Sequence, residues 1–156
     1  MSYSYVRQKR KNESGPVALI NLAKKLDLRF GYRQYIKLFR KLCVCESKAD
    51  GTRSADFDNV IRSVFNWMGD VDMHVNPTPP QLMKAVDEGK GIVLKIGDRY
   101  VGVHCHWHGN GNLCLSNYIA NPRNHSPSDT LSTVGKNEVN NILQKGVTMW
   151  TVKSNL

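Results

Sequence analysis

The chain has 156 residues and a mass of 17.6 kDa, enough for one domain whose core needs no disulfide or metal. Lys and Arg number 22 against 13 acidic residues, and the formal net charge of +9 favours nucleic acid or an acidic protein as partner. No apolar run approaches the ~20 residues that cross a bilayer, and the four cysteines follow no secretion signal. A cytoplasmic protein with free thiols and no membrane partner is therefore expected.

The positive charge lies mostly in the first third of the chain. We predict a partly flexible basic segment over residues 1–12 and a single domain over residues 13–156. The basic side chains are candidates for binding nucleic acid or an acidic partner, and a solvated helix face is the alternative. These candidates are Arg7, Lys9, Arg10, Lys11, Arg33, Lys37, Arg40 and Lys41.

Apolar residues at helical spacing predict four helices in the first 90 residues. The predicted helices cover 14–26, 32–44, 54–68 and 79–88. Ser14 is a candidate cap of the first helix, which is apolar on most sides and is expected to be central. Thr78 is a candidate cap of the fourth helix. Trp67, near the end of the third helix, is assigned to the core or its edge.

After residue 91 the apolar pattern changes to that of short strands. A three-strand meander is predicted over 92–96, 100–107 and 113–119, followed by a helix over 136–143 and a closing strand over 147–152. Helices followed by an antiparallel sheet indicate an α+β domain with the helices on one side of the sheet. A parallel doubly wound sheet is disfavoured.

Several sequence strings resemble one peptidase family. Gln8-Lys-Arg-Lys-Asn-Glu-Ser14-Gly-Pro resembles the Gln-x5-Cys-Gly-Pro start of bacteriocin-processing peptidases of the papain-like fold, with serine in place of cysteine. Pro-Pro-Gln-Leu-x4-Asp-x-Gly and Gly-Ile-Val-Leu are similar to that family's short helix and following strand, and the string from Arg99 to Val103 is similar to its His-Tyr-Val-Val-Val strand. The resemblance covers nearly the whole chain. It implies a papain-like α+β fold, with N-terminal helices packed on a C-terminal antiparallel sheet.

The resemblance also implies four site positions. Gln8 would hold the oxyanion, Ser14 stands at the nucleophile, Arg99 at the histidine, and Asn117 at the residue that orients the histidine. A serine hydroxyl titrates far above a thiol, and an arginine stays charged and cannot act as a base. The substitutions therefore favour a pseudoenzyme that binds a protein over a working enzyme.

An active cysteine- or serine-type peptidase or amide hydrolase is the first alternative. His104 lies an odd number of residues from Arg99, so on a regular strand it faces the other side. A bulge at Gly102 would reverse that parity and could make His104 the base for Ser14, with Asn117 behind it.

Metal binding and nucleic-acid binding complete the alternatives. His104 and His106 lie two residues apart on one strand and could share a metal ion, but no paired ligand motif accompanies them, so no metal or cofactor is predicted. Tyrosines interleaved with basic residues would suit a charge-driven nucleic-acid-binding protein. The favoured function is a pseudoenzyme that binds an acidic host or viral protein, as a viral or phage factor acting on host machinery would.

Overall fold

The computed structural model describes residues 5–6, 13–28, 39, 51–67, 69–107, 112–118 and 131–154, with only the backbone of 105–107. Of the helix predicted over 32–44, Phe39 alone is described, and it is helical and buried. Gln8, His108 and the eight basic candidates lie outside the described residues.

The described part of the chain contains four helices and six strands. The helices are α1 (Ser14–Lys25), α2 (Ser54–Phe65), α3 (Pro79–Asp87) and α4 (Lys136–Gln144). The strands are β1 (Gly69–Val75), β2 (Gly91–Ile96), β3 (Arg99–Trp107), β4 (Asn112–Ser116), β5 (Leu131–Val134) and β6 (Val147–Ser154). The strands form one antiparallel sheet in the order β1-β6-β2-β3-β4-β5. The predicted α+β class with an antiparallel sheet is confirmed.

Each face of the sheet carries its own hydrophobic core. Neighbouring residues of β2 point to opposite faces, so Val93 packs with α1 and α2 while Leu94 packs with α3 and α4. Trp150 and Tyr100, both fully buried, fill the first core together with Phe57. The prediction that the helices lie on one side of the sheet is therefore wrong, because α3 and α4 have apolar faces of their own to bury.

Two strands and one exposed tryptophan depart from the sequence predictions. The strands β1 and β5 were not predicted. In β1 the apolar residues Val71, Met73 and Val75 alternate with polar ones, and this signal was overlooked. In β5 there are only four residues, with no such alternation. Trp67 is 66% exposed, beyond the end of α2, and its indole N–H donates to the Val64 carbonyl. Its assignment to the core is wrong. No helix among the described residues is long and apolar enough to cross a bilayer.

Candidate functional site

Ser14 is the first residue of α1, and its hydroxyl connects the helix to the sheet. Glu13, not Ser14, occupies the cap position, so the predicted capping role of Ser14 is wrong. The Ser14 Oγ instead accepts a hydrogen bond of 3.1 Å from the backbone N–H of Tyr100 in β3. The next residue, Gly15, has no room for a side chain, because a Cβ there would lie 2.6 Å from Thr52 Oγ1. The helix start is thus held by the backbone of Tyr100 and packs closely against the side chain of Thr52.

Arg99 begins β3, and its guanidinium is held by a single residue. Its Nε donates to the Asn117 carbonyl at 2.7 Å, and its Nη2 lies 3.4 Å from the Asn117 side-chain oxygen. Asn117 follows β4 with a φ of 61°, a left-handed conformation that asparagine tolerates better than most residues. Burial lowers the pKa of Arg99 from its ordinary value, but a guanidinium remains protonated near neutral pH.

Three of the sequence-predicted positions therefore meet at the start of β3. Ser14 bonds to the backbone of the residue after Arg99, and Arg99 bonds to Asn117. Tyr100 also donates its phenol to the Thr52 carbonyl at 2.9 Å, which anchors this end of the strand from the α1 side. Among the described residues, neither an imidazole nor a carboxylate forms a hydrogen bond with the Ser14 hydroxyl.

His104 is paired with a different serine. Its Nε2 lies 2.7 Å from the Ser116 Oγ, at the end of β4. The pairing of β3 with β4 shifts between Val103 and Cys105, so His104 is the extra residue of a bulge. The alternative considered from the sequence required a bulge at Gly102, and the structure has its bulge at His104 instead. A Cβ on Gly102 would lie 2.5 Å from Ser116 Oγ and 2.7 Å from His104 Nε2, so glycine makes room for the pair.

The His104 imidazole is buried and neutral. Burial, and to a smaller extent the nearby positive charge of Lys25, lower its pKa from 6.5 to about 3. The Tyr5 ring lies 3.9 Å from the imidazole ring, centroid to centroid, and the Nδ1 atom is buried with no hydrogen-bond partner among the described residues. Ser116 is fully buried, so no substrate can reach this histidine-serine pair without a rearrangement.

Asn21 fixes the chain segment that leads towards Gln8. Its side-chain oxygen accepts from the Val6 N–H at 2.7 Å, and its amide donates to the Val6 carbonyl at 3.0 Å. Asn21 is fully buried in α1, among residues that are otherwise mostly apolar. The sequence reasoning missed this residue, although a polar side chain inside an apolar helix was a usable signal.

An open groove of about 340 Å³ lies beside Arg99. Its lining residues are Ile96, Arg99, Val101, Tyr118 and Glu138. The Tyr118 hydroxyl donates to Glu138 at 2.7 Å, and burial together with this carboxylate raises the pKa of Tyr118 to about 12. Arg99 forms no ion pair among the described residues. The groove therefore combines aliphatic side chains with a cation that has no carboxylate partner in the described part of the chain.

Metal ligands do not converge in the described part of the chain. No three His, Cys, Asp or Glu side chains there lie close enough to share an ion. The side chain of His106, one of the two candidate ligands, lies outside what the structure describes.

Comparison with solved structures places the fold. The peptidase domain of Streptococcus ComA, a bifunctional ABC transporter involved in a quorum-sensing pathway, superposes with a TM-score of 0.60 at 17% identity, covering 98% of this chain and 100% of that one. A double-glycine-motif protease from an AMS/PCAT transporter, solved in complex with the leader peptide, superposes with a TM-score of 0.61 at 10% identity, covering 97% and 93%. No family model and no curated protein matches the chain. The chain thus has the fold of double-glycine peptidase domains, and the predicted papain-like fold is confirmed.

Proposed function

We propose that this chain is a peptidase-like module that binds a peptide segment of a protein partner and does not cleave it. The observation that carries the proposal is the pair of contacts at the start of β3. The Ser14 hydroxyl accepts the backbone N–H of Tyr100, and the residue before Tyr100 in the chain is an arginine held by Asn117. Serine needs a well-placed base to act as a nucleophile, and a guanidinium cannot serve as one. His104, the alternative base, is engaged by Ser116.

The groove supports an acidic segment as the ligand. A guanidinium has five N–H donors, and among the described residues only Asn117 accepts from them, so donors remain there for a carboxylate. Ile96, which is half-buried, offers apolar contact beside this cation, whereas Val101 is fully buried. Glu138 is already bonded to Tyr118. In the similar protease structure, the domain is in complex with a leader peptide. That the partner is a host or viral protein met in the cytoplasm, by a viral or phage factor, stays a prediction.

The absence of cleavage is tested with a synthetic double-glycine leader peptide as substrate. We expect no cleavage by the wild type or by Ser14→Cys, because neither has a base beside residue 14. The double variant Ser14→Cys, Arg99→His is the informative comparison, since it restores both groups of a thiol-imidazole pair. Cleavage by the wild type or by Ser14→Cys alone would establish the hydrolase alternative instead.

Binding is tested with arrayed random peptides grouped by net charge. The wild type should retain acidic peptides, and Arg99→Gln should weaken that binding by about tenfold or more because a charge-assisted hydrogen bond is lost. Lys84→Gln is the matched control, since Lys84 is 79% exposed on α3 and does not line the groove. Equal losses in both variants would mean that general charge attraction, and not the groove, holds the peptide.

Binding measurements on the same proteins distinguish the nucleic-acid alternative from the proposed peptide binding. A labelled mixed-sequence oligonucleotide should bind no better than the acidic peptides. Tight oligonucleotide binding that weakens linearly in the logarithm of salt concentration, with no peptide binding, would replace the proposal by the charge-driven alternative.

A further inference from the structure

Strand β1 is an edge of the sheet with apolar side chains in solvent. In the described part of the chain its neighbour is β6 on one side, and no strand pairs with the other side. Met73 is 42% exposed and Val75 is 66% exposed. Asp72 and His74, which alternate with them, are exposed as well. An open edge of this kind can accept another strand through its unpaired backbone groups.

Two contacts show which backbone groups of β1 face outward. The Asn76 N–H donates to the Val147 carbonyl of β6 at 2.8 Å, so the Val75 carbonyl, on the other side of the same trans peptide, points away from β6. The Val71 carbonyl also points away, since it accepts from Arg62 Nη1 at 3.0 Å and retains a second lone pair. Backbone groups alternate along a strand, so the outward groups belong to Val71, Met73 and Val75.

We propose that a second copy of this chain pairs with β1 in antiparallel orientation, with Met73 opposite Met73 on the two-fold axis. In this register Val71 faces the second copy's Val75, and the outward backbone groups of both strands meet. Asp72 faces the second copy's His74, and symmetry repeats this contact between carboxylate and imidazole. An isologous interface requires such self-complementarity, and β1 has it over five residues.

The neighbouring registers that use the same backbone groups are unfavourable. The nearest such registers are shifted by one residue. Centring the pair on Asp72 places the two Asp72 carboxylates directly opposite each other, and like charges in that position are destabilising. Centring it on His74 places Val71 opposite Pro77, which has no N–H to donate. The sequence of the strand therefore selects the Met73 register.

The exposed tryptophan also fits this arrangement. Antiparallel pairing brings the start of one β1 beside the end of the other. Trp67, two residues before β1 and 66% exposed, then comes near the second copy's Val75 end. Aromatic side chains are enriched in such interfaces because they bury a large area.

The first test is sedimentation velocity over about a hundred-fold range of protein concentration, where a reversible dimer must respond to mass action. The wild type should form dimers as concentration rises. Met73→Lys places two ammonium groups together on the axis and should weaken the dimer about tenfold or more. Leu131→Lys is the matched control, because Leu131 is 40% exposed on β5, the opposite edge of the sheet. It should leave the dimer unchanged.

The second test checks the register through two exposed residues. His74→Glu places a carboxylate opposite Asp72 and should weaken the dimer, whereas Asp72→Lys combined with His74→Glu should restore it as a Lys-Glu pair. Circular dichroism of each variant verifies that the monomer is folded. A wild type that stays monomeric throughout, a dimer that Leu131→Lys disrupts in place of Met73→Lys, or a failure of the double variant to restore pairing would each overturn the proposal.

Discussion

The folded protein disfavours the protonated, positively charged form of His104. Its imidazole is buried against Tyr5, bonded to Ser116 and close to the positive charge of Lys25. In the folded state its pKa is about 3, whereas in the unfolded chain it titrates near 6.5. Between pH 6.5 and a pH of about 3, His104 is protonated in the unfolded chain but neutral in the folded protein. The free energy of unfolding therefore falls as the pH falls through this range.

This difference predicts acid sensitivity below pH 6.5. The contribution of His104 to stability is complete above its unfolded pKa. Lowering the pH from about 7.5 to about 5 should lower the free energy of unfolding by about 2 kcal/mol through this residue. Urea denaturation at the two pH values measures the loss, and His104→Gln should show a smaller loss because it cannot titrate. An equal pH dependence in both proteins would mean that other groups cause it.

At the residue scale, the resemblance to the peptidase family implied Ser14, Arg99 and Asn117 as a group, and in the structure Ser14 bonds to the Tyr100 N–H while Arg99 bonds to Asn117. Their roles stay predictions. Asn21 and Ser116 escaped notice because each acts through a partner distant in sequence, Val6 and His104 respectively. A local pattern cannot show which distant backbone or side chain a polar group will meet.

Helix α3 is an element whose start is specified by its own sequence. The Thr78 Oγ1 accepts from the Gln81 N–H at 3.3 Å, and the Gln81 side chain accepts from the Thr78 N–H at 2.9 Å. This reciprocal capping satisfies two backbone donors that a helix start otherwise leaves to solvent. The helix was predicted to begin at Pro79, where it does begin, for this reason, and its predicted end lies one residue beyond the observed one.

Removal of the cap should cost stability in a way that a conservative change does not. Thr78→Ala should lower the free energy of unfolding by about 1 kcal/mol, because the Gln81 N–H loses its acceptor. Thr78→Ser keeps the hydroxyl and should stay close to the wild type. Urea denaturation measures the free energy of unfolding of the wild type and the two variants. A serine variant as unstable as the alanine variant would show that the threonine methyl group, and not the hydroxyl, causes the effect.

Strands β1 and β5 show what element prediction lacks. Both are edge strands, paired with β6 and β4 respectively. For β1 the alternation of Val71, Met73 and Val75 with polar residues was a usable signal, whereas β5 has four residues and no alternating pattern. By contrast β2, buried at its first four residues, has an apolar run that the sequence displays directly. Prediction therefore succeeded for the buried strand and missed the two edge strands.

The whole molecule has two cores that share one sheet. Ile61 of α2 is fully buried in one core and Leu82 of α3 is fully buried in the other. Because every strand between them contributes side chains to a common sheet, the two cores should unfold together. Unfolding of both cores in one transition is what the prediction of a single domain over residues 13–156 requires.

Truncation of either residue should shift one common transition. Ile61→Ala and Leu82→Ala should each lower the free energy of unfolding by about 2–5 kcal/mol, the usual cost of a cavity in a packed core. Tryptophan fluorescence and far-ultraviolet circular dichroism should report the same midpoint in each variant. Two separate transitions, with each variant shifting only one of them, would show that the cores fold as independent units.

The two bonds between Arg99 and Asn117 bear on how this protein could evolve. Both acceptors belong to one residue, whose left-handed backbone presents its carbonyl and its side-chain oxygen to the same guanidinium. An imidazole cannot donate from two nitrogens in one direction, so histidine at position 99 would leave one of these oxygens without its donor. A single mutation that introduced a base here would thus carry a stability penalty until position 117 also changed. The feasibility of a histidine at position 99 in this sequence therefore depends on the order in which positions 99 and 117 mutate.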